Sequence, residues 1–133
     1  MNNIGLIFSR QNQEIQQYII SKILEKDINA MMFADRTLNV NSQNLTLMPI
    51  GNLLSFTGDL ICVSPEDVNI ARNVKRDINI KYILDKVYTE IQDWFHQDDD
   101  IEYLIYKDEK TSTDLAKSIT GLQNIKTFDE YIL

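Results

Sequence analysis

The feature of this sequence that most constrains its fold is the alternation of short apolar runs with stretches of helical periodicity. Five apolar runs of five to seven residues are separated by segments whose apolar residues recur every three or four positions. Such an alternation is typical of βαβ units wound around a parallel sheet. The strands are predicted at 4–8, 28–34, 59–63, 78–84 and 101–106, and the helices at 12–26, 65–76, 88–95 and 112–120.

The length of the chain, 133 residues, fits one domain. We therefore predict an α/β fold in which residues 1–133 form a single Rossmann-like three-layer domain, with a mostly parallel sheet of five to six strands. Residues 37–58 are the least regular part, but they include a short apolar run, Leu45–Met48, that fits an edge strand. A last short strand is predicted at Ile125–Phe128.

The clearest local signal is the segment that follows the strand predicted at 59–63. Ser64 is a favourable N-cap residue, and Pro65 suits the first position of a helix. Glu66 and Asp67 place negative charge at the positive end of the helix dipole. These residues predict that a helix begins directly after Ser64.

The charge of the chain is concentrated in its last third. Residues 85–133 hold 12 of the 20 acidic and 5 of the 13 basic side chains, so the net charge of −7 lies there. An acidic surface repels nucleic acid and anionic lipid, and we expect neither as a partner. No apolar run approaches the roughly 18 residues of a transmembrane helix, and the first residues lack the pattern of a signal peptide. A cytoplasmic location is therefore expected.

The first strand is not followed by a dinucleotide-binding loop. Its following turn, residues 9–13, contains no glycine, whereas a pyrophosphate reaches the backbone only across glycines. Asp35 stands where a carboxylate would bind a ribose, but it lacks the accompanying glycines. A P-loop pattern is also absent from the sequence. We expect no cofactor.

Polar and charged side chains follow the predicted strands where each strand ends. In a parallel sheet these ends share one edge, outside which ligands bind. Arg10 and Arg36 become neighbours if the first two strands pair, and two guanidinium groups beside a capped helix start can bind an anion or a nucleotide. The predicted ligand-binding residues are Ser9, Arg10, Asp35, Arg36, Ser64, Asp85, Lys86 and Lys107.

The residues that metal or nucleophilic catalysis needs are scarce. His96 is the only histidine, and its segment, His96–Asp100, precedes a predicted strand and therefore falls at the opposite edge of the sheet. Consecutive carboxylates point in different directions, so we interpret this segment as a solvated loop and expect no metal. Cys62 lies in a predicted strand, which favours a buried apolar role over a reactive thiol. No residue is predicted to be catalytic.

Three stretches of the sequence resemble the N-terminal Rossmann-like domain of two-domain, GT-B type glycosyltransferases, especially divergent ones encoded by tailed phages. They are 54–61 with 64–72, 81–85 with 91–94, and 103–117 with 127–129. In that family the sugar donor binds mainly to a second domain, and this sequence ends where that domain would begin. The resemblance therefore implies that the chain alone does not transfer sugar.

Two functions follow as hypotheses. The first is a non-catalytic Rossmann-like binding module, phage-encoded in origin, that binds a protein partner or a small anion. The alternative is the acceptor-side half of a glycosyltransferase that acts only with a separate donor-binding partner. The sequence leaves the ligand, the partner and the oligomeric state open.

Overall fold

A computed structural model describes residues 3–8, 13–34, 44–84, 101–105 and 126–132. Six strands in this part of the chain form one sheet, and every pair of neighbouring strands is parallel. The strands are β1 (Ile4–Ile7), β2 (Ala30–Phe33), β3 (Leu45–Met48), β4 (Asp59–Cys62), β5 (Asn79–Leu84) and β6 (Glu102–Ile105). Their order across the sheet is β3-β2-β1-β4-β5-β6.

Helices cover both faces of this sheet. They are α1 (Gln13–Glu25), a 3-10 helix η1 (Ile50–Ser55), α2 (Pro65–Val74) and a short α3 (Phe128–Tyr131). The predicted α/β, Rossmann-like three-layer fold is confirmed, and the sheet has six strands. None of the helices in the described ranges has the length and apolarity needed to cross a bilayer. The helices predicted at 88–95 and 112–120 lie outside the described residues.

The core consists of two apolar clusters, one on each face of the sheet. Side chains alternate between the faces along each strand, so neighbours such as Leu60 and Ile61 belong to different clusters. On one face, α1 contributes Ile15, Ile19 and Ile23, and Phe128 of α3 joins them. On the other face, Leu53 of η1 packs with residues of α2. Burial on both faces explains why the strands read as nearly continuous apolar runs.

The predicted edge strand, Leu45–Met48, is confirmed as β3, which pairs with β2. The connection from β3 to β4 contains η1, which the sequence pattern did not predict. Pro49 precedes η1 in an extended conformation, and only Leu53 of its six residues is buried. A segment with one buried side chain has no helical apolar stripe, so its periodicity carries no signal.

Gly5 allows the layer containing η1 to lie close to the central strand. A Cβ atom at this position would lie 2.9 Å from Phe56 Cζ, 3.0 Å from Phe33 Cε2 and 3.2 Å from Leu60 Cδ1. The rings of Phe33 and Phe56 meet edge to face over β1, with centroids 5.3 Å apart. The absence of a side chain at Gly5 therefore leaves the space that these two rings fill.

Replacing Gly5 with alanine should destabilise the fold by about 1–3 kcal/mol, because the added methyl group overpacks the core. Gly51→Ala is the matched control, since a Cβ atom there meets nothing within 4 Å. Urea unfolding of both variants measures the effect. Equal free energies of unfolding for the two variants would contradict this packing.

The end of the described chain differs from its prediction. A strand was predicted over Ile125–Phe128; of its described residues, 126–128, Thr127 forms a parallel bridge to Ile105. Thr127 Oγ1 accepts a hydrogen bond from the Glu130 amide (3.1 Å), and Glu130 Oε1 accepts one from the Thr127 amide (3.2 Å). This reciprocal capping box starts α3 and ends the extended segment. The prediction is wrong at Phe128, which is the first residue of a helix, whereas the pairing of Thr127 with the sheet agrees with it.

Two tyrosines attach α3 to the rest of the fold. Tyr131 donates a hydrogen bond to Asp59 Oδ2 (2.5 Å), at the amino end of β4. Tyr18 of α1 donates one to Asp129 Oδ1 (2.8 Å). Burial, followed by the hydrogen bond to Asp59 and the negative charges of Asp59 and Glu102, raises the pKa of Tyr131 well above its ordinary value of 10.0.

The raised pKa of Tyr131 predicts a loss of stability at alkaline pH. The folded state retains the phenol proton after the unfolded state has released it, so the free energy of unfolding falls as pH rises above about 10. Tyr131→Phe lacks this titration and should lose less stability between about pH 9 and pH 11. Urea unfolding across this range measures the difference. If the free energy of unfolding of the two proteins changes with pH in the same way, Tyr131 has the same pKa in the folded and unfolded states.

Candidate functional site

The strand order identifies a position between two central strands, β1 and β4, where a ligand crevice is expected. At the carboxyl end of β1, Ile7 lies opposite Phe33 of β2 on one side and Cys62 of β4 on the other. The helix that follows β1 packs on one face of the sheet, and the helix that follows β4 packs on the opposite face. The chain connections therefore diverge between β1 and β4, which is where ligands bind in open α/β sheets.

Only one of the predicted ligand-binding residues is in the described part of the chain. Ser64 lies two residues after the end of β4, at the start of α2. In sequence, the other seven follow the ends of β1, β2, β5 and β6, but they lie outside the described residues. They are Ser9, Arg10, Asp35, Arg36, Asp85, Lys86 and Lys107. A ligand-binding role for all eight stays a prediction.

The predicted cap of the helix after β4 is confirmed. Ser64 is the N-cap of α2, its hydroxyl accepts a hydrogen bond from the Asp67 amide (3.3 Å), and Pro65 follows at the first helical position. The side chain of Asp67 reaches back and accepts a hydrogen bond from the Val63 amide (3.1 Å). These two bonds join the end of β4 to the first turn of α2.

The sequence pattern predicted only that Asp67 places negative charge at the start of α2, but its side chain also forms a hydrogen bond inside the fold. It is fully buried, and Ser64 is nearly so. The carboxylate of Asp67 therefore lies inside the fold at the positive end of α2, where it already stabilises the helix dipole. The Ser-x-x-Asp spacing of residues 64–67 is the signal that identifies this arrangement, because it resembles a capping box.

Cys62, the last residue of β4, is a fully buried free cysteine. Burial raises the pKa of its thiol well above the ordinary value, the charge of Asp67 raises it further, and the charge of Arg72 lowers it. The thiol is therefore protonated at neutral pH, and a protonated thiol is a poor nucleophile. The prediction of a buried apolar role for Cys62 is confirmed.

The His96–Asp100 segment lies outside the described residues, and its interpretation as a solvated loop stays a prediction. Among the residues that the structure describes, no three His, Cys, Asp or Glu side chains gather closely enough to hold a metal ion.

Comparison with known proteins adds no relative: no family model, curated protein or solved structure matches this chain at a significant level.

Ser64→Ala should lower the free energy of unfolding by about 1 kcal/mol, because the Asp67 amide loses its acceptor. Ser21→Ala is the matched control, since the Ser21 hydroxyl is exposed and bonds only to Tyr18 O within its own helix. Denaturant midpoints measure both changes. A variant at position 64 as stable as the variant at position 21 would show that this cap contributes nothing.

Proposed function

We propose that this chain is a non-catalytic, Rossmann-like binding module that binds a small anion at the carboxyl edge of its sheet. The observation that supports this proposal is the strand order, because ligands of open α/β sheets bind where the chain connections diverge, here between β1 and β4. The proposal includes a cytoplasmic location.

The arginines after β1 and β2 are the proposed anion ligands. Arg10 and Arg36 follow adjacent parallel strands, whose ends meet where Ile7 pairs with Phe33. Guanidinium groups bind phosphate and carboxylate oxygens through paired hydrogen bonds. The start of α2 contributes less, because the Asp67 carboxylate already lies there and repels a second anion. Specific binding therefore depends on the two arginines more than on Ser64.

The glycosyltransferase relationship is a second proposal. It rests on the three stretches that resemble the acceptor-side domain of phage-type enzymes, and the Rossmann-like strand order is the observation compatible with it. Under this proposal the chain is an acceptor-side half that transfers sugar only with a separate donor-binding partner. The isolated chain then binds a nucleotide or an acceptor without turnover.

The anion site is tested by titrating the chain with inorganic phosphate and with uridine diphosphate, using calorimetry. Arg10→Ala and Arg36→Ala should each weaken binding about tenfold or more, since a hydrogen bond to a charged group contributes roughly 1.5–3 kcal/mol. Added salt should weaken binding as well. Arg76→Ala is the matched control, because Arg76 is an exposed arginine that precedes the amino end of β5.

Two results would contradict the proposal. Binding that survives both arginine substitutions but disappears when the acidic residues of the His96–Asp100 segment are neutralised would place the ligand at the other edge of the sheet. Release of uridine diphosphate from UDP-glucose by the isolated chain, above a heat-denatured control, would show that the module is catalytic.

A further inference from the structure

A pocket of about 150 Å³ lies on one face of the sheet, between η1 and the strands β2 and β3. None of its described lining residues belongs to β1 or β4. In β2, Met31 and Phe33 point to this face, and in the neighbouring strand Met48 is the partner of Phe33. The described residues that line the pocket are Asn3, Met31, Phe33, Met48, Asn52, Ser55, Phe56 and Thr57.

The pocket exists because the β3–β4 connection covers this face incompletely. In a parallel sheet both faces are normally buried under helices. Among the described residues, this connection covers the face with the six residues of η1 and with Phe56 and Thr57, which follow them. Consequently Met31 is 39% exposed, whereas its neighbour Met32, which points to the α1 face, is 1% exposed. Because β2 is paired with a strand on each side, the exposure of Met31 shows that the layer above this face of the sheet has a gap.

The floor of the pocket is apolar and held in place. Phe33 and Phe56 pack edge to face at 71°, and Phe56 lies close above Gly5. The ammonium group of Lys75 donates a hydrogen bond to the carbonyl oxygen of Phe56 (2.6 Å), which fixes the end of this segment. Because these contacts involve the sheet and α2, the floor persists when the pocket is empty.

The rim of the pocket is polar but uncharged. Asn52, Ser55 and Thr57 supply amide and hydroxyl groups, which both donate and accept hydrogen bonds. None of the described lining residues carries a charge. A charged ligand would lose its hydration here without gaining an opposite charge. The lining therefore selects neutral molecules with a polar group at one end.

From this geometry we infer a binding site for a neutral molecule that contains one aromatic ring and one hydroxyl or carbonyl substituent. A volume of about 150 Å³ accommodates one benzene-sized ring. The ring contacts the thioethers of Met31 and Met48 and the ring of Phe33, which are favourable partners for an aromatic face or edge. The substituent lies at the rim, where it replaces water on an amide or hydroxyl group.

Phenol is the probe for this site, and the methionine methyl groups report its binding. In a chain labelled with ¹³C at these methyl groups, phenol should shift the signals of Met31 and Met48 with one saturable dependence, because a bound ring lies beside both. Met32 is the internal control, since it is buried on the opposite face of the sheet. Absence of saturation, or an equal shift of Met32, would overturn the inference.

Substitutions separate the pocket from the rest of the surface. Met31→Ala should weaken phenol binding about two- to tenfold, the effect of losing one sulfur–ring contact, with Met48 as the reporter. Leu54→Ala should leave it unchanged, because Leu54 is 67% exposed on the same η1 helix and is not part of the lining. In each variant, a Met32 methyl signal at the position of the folded protein, unchanged by phenol, verifies that the variant is folded.

A second copy of the chain is the competing occupant. If Met31 and Met48 shift on dilution of the protein without phenol, a side chain of another copy fills the pocket and the inference of a small-molecule site is overturned. Signals that are independent of protein concentration, together with saturable phenol binding, support it.

Discussion

The structure depends on the pairing of β1 with two parallel neighbours. All four residues of β1 are buried, and the strand joins β2 on one side and β4 on the other. Without it, the β3-β2 half and the β4-β5-β6 half would each expose an unpaired inner edge. Gly5, within this strand, also leaves the space that Phe33 and Phe56 fill. β1 therefore determines the continuity of the sheet, the position of the proposed anion site at its carboxyl edge and the floor of the pocket.

The two proposed sites differ in chemistry because they differ in position. The crevice lies where strands end, and charged side chains are common there because the chain leaves the core. The pocket lies on the face of the sheet, where strand side chains are apolar and the rim comes from a short polar connection. Asp67 increases this contrast, because its buried carboxylate already occupies the positive end of α2. An anion at the crevice must be held mainly by side chains with a positive charge.

Prediction from the sequence succeeded where the signal was local. The edge strand Leu45–Met48 and the start of α2 after Ser64 were predicted with their observed bounds, because apolar runs and capping residues act on their own neighbours. It failed for η1, which has a single buried side chain and hence no periodicity. It also failed at Phe128, whose apolar side chain suits a strand or a helix equally. The capping box of Thr127 and Glu130 starts a helix at this position.

The sequence by itself determined the α/β class, because apolar runs and helical stripes depend only on which faces each segment must bury. It also determined which residues follow each strand and therefore which charges can gather at the carboxyl edge. Only the tertiary structure decided the order of the strands, since any parallel order buries these runs equally well. For the same reason, it alone decided that Met31 borders a gap while Met32 is buried. Both methionines are equally apolar, but Met32 points to the face that α1 covers, whereas Met31 points to the face that the short η1 helix covers.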